Sequence, residues 1–127
     1  AEQIISVEDL LSTDDLGARY IALPAPWVGG IKARPLTMNE LAQVRKDGMQ
    51  EVRNSQGKLV KVVNEKLSNI AFIRASLIEP VLTKDQIAEL YQKNAKLPIA
   101  ILTALEELNG INADDAAEVV QEAADTF

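Results

Sequence analysis

Residues 27–46 read WVGGIKARPLTMNELAQVRK and pass from the only tryptophan of the chain through a candidate strand into a candidate helix. In the first half, Ile31 and Ala33 alternate with basic residues, which is the two-residue period of a strand with one buried face. In the second half, Thr37-Met-Asn-Glu40 is a capping box, because the Thr37 hydroxyl can accept from the Glu40 amide while the Glu40 carboxylate accepts from the Thr37 amide. The stretch therefore predicts a strand that leads directly into a capped helix.

A second strand pattern lies just before this stretch. Residues 18–24 read ARYIALP, an alternating run that ends in proline. Together with residues 28–33 this run predicts a small antiparallel β-hairpin, in which the glycine pair at 29–30 marks a turn or bulge. We expect Trp27 and Ile31 to share one face of this hairpin.

The rest of the chain shows mainly helical patterns, with a loop at residues 54–58, which read NSQGK. The predicted helices cover residues 6–12, a segment opening at Thr37, residues 62–79 stopped by Pro80, a segment opening at a second capping box over Thr83 to Gln86, residues 98–109 ended by Gly110, and residues 113–125. Between Ile70 and Ile78 only Arg74 and Ser76 are polar, so we expect that helix to lie at the centre of the domain.

These elements predict an α+β fold that is mainly α, with a small antiparallel β-hairpin near the N-terminus packed beside a bundle of about five helices. A length of 127 residues suits one domain with its own core. We expect a single domain over residues 1–127. Its predicted segments are an N-terminal helix and arm at 1–17, the hairpin at 18–36, a helical core at 37–111 and an acidic C-terminal helix at 112–127.

The composition argues against an enzyme. The chain contains no histidine and no cysteine, which removes the commonest metal ligand and every Ser-His or Cys-His nucleophile arrangement. Carboxylate pairs occur at 14–15, 106–107 and 114–115, but they lie at predicted turns or helix ends, where capping and solvation account for them. We therefore predict no catalytic residue, no metal site and no cofactor.

The charge distribution suggests partners of a different kind. Nineteen acidic and thirteen basic residues give a net charge of -6, which disfavours nucleic acid and anionic membranes as partners. The chain also lacks an apolar run long enough to span a bilayer, so we expect a cytoplasmic protein. Residues 45–66 carry six basic and three acidic side chains, whereas the seven charged residues from Glu106 onward are all acidic. Two solvated faces and head-to-tail self-association both fit this asymmetry.

Two side chains stand out as candidates for a special role. Arg74 lies in the apolar helix and predicts a structural ion pair with a glutamate such as Glu79 or Glu40, with contact to a partner as the alternative. Trp27, beside two prolines, fits either a lid on the core or an anchor for a binding partner.

With this order of elements, the chain resembles the tail assembly chaperones of long-tailed bacteriophages and related prophages. The resemblance covers roughly residues 20–111. The matching features are the YIALP strand at 20–24, the strand ending in IKARPL at 31–36, the TMNEL helix start at 37–41, RASLIEP at 74–80, LTKDQI at 82–87 and a leucine-rich helix ending at Asn109-Gly110.

The resemblance implies a protein that coats the long, aggregation-prone tape measure protein while tail-tube subunits polymerise around it, and then leaves. The tape measure protein is then the expected partner, with the tail-tube protein as a further candidate, and weak self-association is expected. The protein would act in the host cytoplasm and be absent from mature virions. On physical grounds we take Trp27, Ile31 and Arg34 as the candidate partner-binding residues.

Two other classes stay open at this stage. A structural tail or connector subunit, or another small protein-binding adaptor, could share this architecture but remain in its assembly. An enzyme or a nucleic-acid-binding module could use the basic stretch at residues 45–66, although only five aromatic residues are present for base stacking.

The charge asymmetry predicts weak self-association that salt suppresses. At low ionic strength and high protein concentration, sedimentation should detect species larger than a monomer, and these should dissociate as salt screens the unlike ends. A monomer under all conditions would contradict this prediction.

Overall fold

The computed structural model describes residues 2–110, and in this range the chain is 44% helical and 19% strand. The elements are α1 (Val7–Ser12), β1 (Arg19–Ala22), β2 (Gly30–Ala33), α2 (Met38–Asp47), β3 (Met49–Arg53), β4 (Leu59–Val63), α3 (Glu65–Ser76), β5 (Leu77–Glu79), α4 (Lys84–Leu90) and α5 (Lys96–Leu108). The predicted class, α+β and mainly α with an N-terminal antiparallel hairpin, is confirmed. The helix predicted at 113–125 lies outside the described residues.

The predicted hairpin is part of a three-stranded sheet with the strand order β1-β2-β5. Strands β1 and β2 are antiparallel, and Ile21 lies opposite Ile31 on the face that packs on the core. Strand β5 adds antiparallel to the other side of β2, where Leu77 pairs with Ala33. This third strand was not predicted, because its residues follow an apolar helix without a turn signal between them.

A second hairpin, formed by β3 and β4, corrects the expectation that residues 37–111 form a helical core without strands. Its turn is the predicted loop at residues 54–58, where the Asn54 carboxamide oxygen accepts from the amides of Gln56 and Lys58. Gly57 adopts a φ of 77° in this turn, a conformation that glycine takes at little cost. Three β-branched residues, Val60, Val62 and Val63, favour a strand at 59–63.

Helix α3 occupies the centre of the fold, as predicted, and packs against α2, α4 and α5. Its buried side chains include Ile70, Phe72 and Ile73. The predicted limits of 62–79 are wrong at both ends. At the start, Asn64 caps the helix by accepting from the Leu67 amide, and at the end the chain becomes extended at Leu77.

The last two helices follow their sequence signals closely. Thr83 caps α4 in a complete capping box, and Ile87 is fully buried beneath it. Helix α5 begins two residues before Pro98 and is followed by Gly110, which has a positive φ of 69°. Leu97, Ile101 and Leu105 of α5 are buried in the core.

The prediction of a buried, paired Arg74 is wrong. Arg74 is exposed, and the two glutamates predicted as its partners form ion pairs with other basic side chains. The buried guanidinium belongs instead to Arg45 on α2, which donates to the Met49 Sδ at 2.9 Å. The apolar neighbours of Arg74 along the chain therefore face the core while Arg74 itself points to solvent.

The central position of α3 makes Ile70→Ala a sensitive test of the fold. Removing this buried side chain should lower the free energy of unfolding by about 2–5 kcal/mol, because the cavity cannot fully collapse. Urea denaturation would measure the change. Ile99→Ala, at an exposed position on α5, is the matched control and should change stability by less than about 0.5 kcal/mol. Equal effects of the two substitutions would contradict the assigned core.

Candidate partner-binding surface

An ion pair joins the end of β2 to the start of α2. Arg34 follows β2, and Glu40 lies in the first turn of α2. Arg34 Nη1 donates to Glu40 Oε1 at 2.9 Å, and Nη2 donates to the second carboxylate oxygen. Glu40 Oε1 also accepts from the Thr37 amide at 3.0 Å, so one carboxylate closes the capping box and binds the guanidinium. The predicted capping box is therefore confirmed.

The pair is ionised at neutral pH. Hydrogen bonds from Arg34, assisted by the Thr37 amide, hold the pKa of Glu40 at about 2, well below its usual 4.5. The hydrogen bond to Glu40 in turn raises the pKa of Arg34. Because Arg34 is engaged within the chain, its first role is to fix the strand-to-helix junction.

The same junction is tied to the rest of the core through its backbone. The Arg34 amide donates to the Ser76 carbonyl at the end of α3, and the Leu36 amide donates to the Asn109 side chain at 2.8 Å. Asn109 also donates to the Leu105 carbonyl, which fixes its orientation at the end of α5. The hairpin is thus held on a rigid base.

The three predicted partner-binding residues lie around this base, but they differ in exposure. Ile31 is only 7% exposed and belongs to the core, whereas Arg34 is partly exposed. Trp27 is half-buried and packs against the core, and its amide donates to the Pro24 carbonyl in the connection between β1 and β2. These residues therefore support the hairpin from beneath more than they cover its surface.

The outer face of the three-stranded sheet carries a large exposed aromatic side chain. Tyr20 on β1 is 65% exposed, and its ring lies over Gly30 of the neighbouring strand. A Cβ atom at position 30 would lie 2.5 Å from Tyr20 Cζ, so a glycine is needed for the ring to take this position. A shallow depression beside the ring continues to Pro80 after β5.

We define the hairpin rim as Tyr20, Val28, Pro80 and Val81. Val28, in the β1–β2 connection, is 99% exposed, and Val81 is also highly exposed. Because β2 and β5 are antiparallel, the end of β5 and the start of β2 lie at the same end of the sheet, which brings these valines to one side. The alternation of Tyr20 with Ile21 was the sequence signal for this outer face.

Two further apolar surfaces lie outside the sheet. The N-terminal segment exposes Ile4, Ile5, Val7, Leu10 and Leu11, and the second hairpin exposes Leu59, Val62 and Val63. Neither was predicted as a binding surface from sequence. For the N-terminal segment, the available sequence signal was that Leu10 and Leu11 follow Val7 by three and four residues, which places all three on one side of a helix.

The described residues contain no cluster of side chains suited to bind a metal ion. Among residues 2–110, no group of three or more acidic side chains is arranged to hold an ion. Asp14 of the first carboxylate pair accepts from the Leu16 amide at 3.1 Å and so stabilises a turn. Within the same range, no helix has the length and apolarity required to cross a membrane.

Comparisons with known proteins give no family. The chain matches no model of a known protein family, no curated protein and no solved structure. The case for a function therefore depends on the surfaces described above.

The Arg34–Glu40 pair predicts a defined pH dependence of stability. Because the pKa of Glu40 is lower in the folded chain than in the unfolded one, its contribution is present above about pH 4.5 and is lost as the pH falls towards 2. Glu40→Gln keeps the capping box but removes the charge, so it should cost about 1 kcal/mol at pH 7, a modest value because the pair is partly solvated.

Urea denaturation of both proteins at several pH values measures this difference. The gap between them should shrink from pH 4.5 to pH 2. Glu89→Gln, at an exposed position on α4, is the matched control and should be close to neutral. A gap that does not depend on pH would contradict the role of the ion pair.

Proposed function

We propose that the protein is a tail assembly chaperone of a long-tailed bacteriophage or prophage, which binds the tape measure protein and keeps it soluble while the tail tube assembles. The observation that carries the proposal is the hairpin rim, a set of exposed apolar side chains on β1 and on the connections that flank β2 and β5. Contiguous apolar side chains on a surface are typical of protein interaction sites. The sequence resemblance described above supplies the identity of the partner.

The rim suits an extended helical partner. An amphipathic helix places apolar side chains on one face, and such a face can pack over the Tyr20 ring and the two valines. Tyr20 has the features of an interface anchor, because its large ring loses little conformational entropy on binding. Lys32 and Glu79, whose charged atoms lie 3.9 Å apart on the same outer face, give the rim a polar border.

The small size of the rim also fits a transient role. A few exposed side chains bury less area than a permanent interface requires, so each contact would be weak and reversible. A long partner could engage many copies along its length, which would compensate for the weakness of each one. In this proposal Trp27 contributes its exposed portion, while Ile31 and Arg34 hold the rim in place from beneath.

The proposal describes a binding protein that needs neither catalysis nor a cofactor. It would act in the host cytoplasm and be absent from mature virions. A structural tail or connector subunit could use the same rim, but it would remain in the particle. Analysis of purified tails therefore separates these two possibilities, since the chain should be missing from them.

Co-expression with the tape measure protein of the same phage or prophage is the direct test. The tape measure protein should aggregate when expressed alone, and it should remain soluble and co-purify when this chain is present. Val28→Asp combined with Val81→Asp should weaken the rescue, because two charges would be placed on the apolar rim. Both positions are exposed, so thermal stability should hardly change.

Two further variants sharpen this test. Ile99→Asp, at an exposed apolar position on α5, is the matched control and should leave the rescue intact. Trp27→Ala should weaken the rescue while the helical circular dichroism signal is kept. Failure of the unmodified chain to rescue the tape measure protein would overturn the proposal, whereas equal loss with Ile99→Asp would show that the rim is misplaced.

A further inference from the structure

The N-terminal helix α1 presents an apolar face that no other part of residues 2–110 buries. Ser6 caps it by accepting from the Asp9 amide at 3.1 Å. Val7, Leu10 and Leu11 share one side of the helix, and they are 74%, 62% and 80% exposed. Glu8 lies at the border of this side, whereas Asp9 lies towards the opposite side.

A helix of this length is not stable on its own. It has six residues, and isolated helices shorter than about 12–15 residues are marginal in water. No residue of α1 is buried, and Ile4 and Ile5 just before it are exposed as well. The apolar segment at residues 4–11, which we call the arm, therefore gains most if it is covered by another surface.

A groove with an apolar floor lies on the helical core. It has a volume of about 460 Å³ and is formed by α3 together with the end of α2 and the start of α4. Its floor includes Leu67, Ala71 and Ala75, which are half-buried. The small alanine side chains leave room for the larger aliphatic side chains of a helix.

The charges on the two surfaces are complementary. Arg74 and Lys84 line the groove, and among its described lining residues Asp47 is the one acidic side chain. Glu8 of the arm borders its apolar face. Arg74 is exposed, and the carboxylates predicted as its partners are engaged elsewhere, so an acidic group from outside the chain suits this position.

We propose that the arm of one copy docks into the groove of a second copy, with Val7, Leu10 and Leu11 on the alanine floor and Glu8 beside Arg74 and Lys84. None of the described residues that line the groove belongs to the arm, so residues 2–110 leave the groove of each chain open to a neighbour. The connecting residues 13–18 can span up to about 20 Å when extended. This inference does not depend on the proposed function.

Cysteine cross-linking tests which chain supplies the arm. The sequence contains no cysteine, so introduced thiols report proximity without background. A mixture of Leu10→Cys copies and Ala75→Cys copies should form a disulfide-linked dimer with one of each. Leu59→Cys, at an exposed apolar position on β4, replaces Ala75→Cys in the control and should give a several-fold lower yield.

Two results of the cross-linking would overturn the proposal. One is an equal yield with the Leu59→Cys control, which would show that contact with the groove is not selective. The other is a Leu10→Cys/Ala75→Cys double variant that closes only within a single chain, which would show that the arm covers its own groove.

Sedimentation of the cysteine-free chain provides an independent test. Leu10→Asp should weaken dimerisation about tenfold or more, as expected for loss of an interface anchor, while the melting temperature of the monomer stays unchanged. Arg74→Glu should also weaken it, and adding Glu8→Lys should restore part of the loss. The docking would be contradicted if the chain were monomeric at all concentrations. It would also be contradicted if Glu8→Lys restored none of the dimerisation lost in Arg74→Glu.

The outcomes for the two proposals can be told apart. Loss of rescue in co-expression with the dimer intact would count against the chaperone function alone. Rescue by a Leu10→Asp monomer would leave that function standing without any need for the dimer. Loss of dimerisation in Leu10→Asp but not in Ile99→Asp would support the arm specifically.

Discussion

The Glu40 carboxylate is the contact on which the arrangement of the domain depends. It accepts from the Arg34 guanidinium at the end of β2 and from the Thr37 amide at the start of α2, so strand and helix meet at a fixed angle. The backbone between them bonds to the Ser76 carbonyl and to the Asn109 side chain. Within seven residues, the sheet, α2, the end of α3 and the end of α5 are joined. The hairpin rim is presented on this frame, which limits the conformational entropy that a partner would have to remove.

The features that could be predicted from sequence are those set by local chemistry. Both capping boxes begin helices where Thr37 and Thr83 predict them, because the hydrogen bonds involve residues three apart. The first hairpin follows from an alternating pattern bounded by prolines and glycines. Val62 and Val63 of β4 were assigned instead to the start of α3, since valines next to an apolar helix do not separate the two possibilities. Strand β5 depends on pairing with β2, a contact between residues more than forty positions apart that no local pattern reveals.

The candidate site shows the same limit. Alternation correctly indicated that Ile31 and Ala33 share a buried face, and because this face is the core side, Ile31 is not open to a partner. Once β5 and the helices cover it, the surface open to a partner is the one with Tyr20, and Trp27 is only partly available. The apolar arm was overlooked because its cap and acidic first turn account for a short helix without reference to its other face. Arg74 was assigned to the core because its neighbours along the chain are apolar, although a helix of this kind can still expose one side.

The β3–β4 hairpin has a consequence for how the domain opens. Its ladder hydrogen bonds join only its own two strands, and the described part of the chain adds no third strand to it. An isolated pair of strands is marginally stable in water. The amides of this ladder can therefore exchange with solvent deuterium through opening of the hairpin alone, while those of α3 exchange only when the core itself unfolds. The hairpin and α3 would thus differ in their protection from amide hydrogen exchange. They are joined at Asn64, which follows β4 and caps α3.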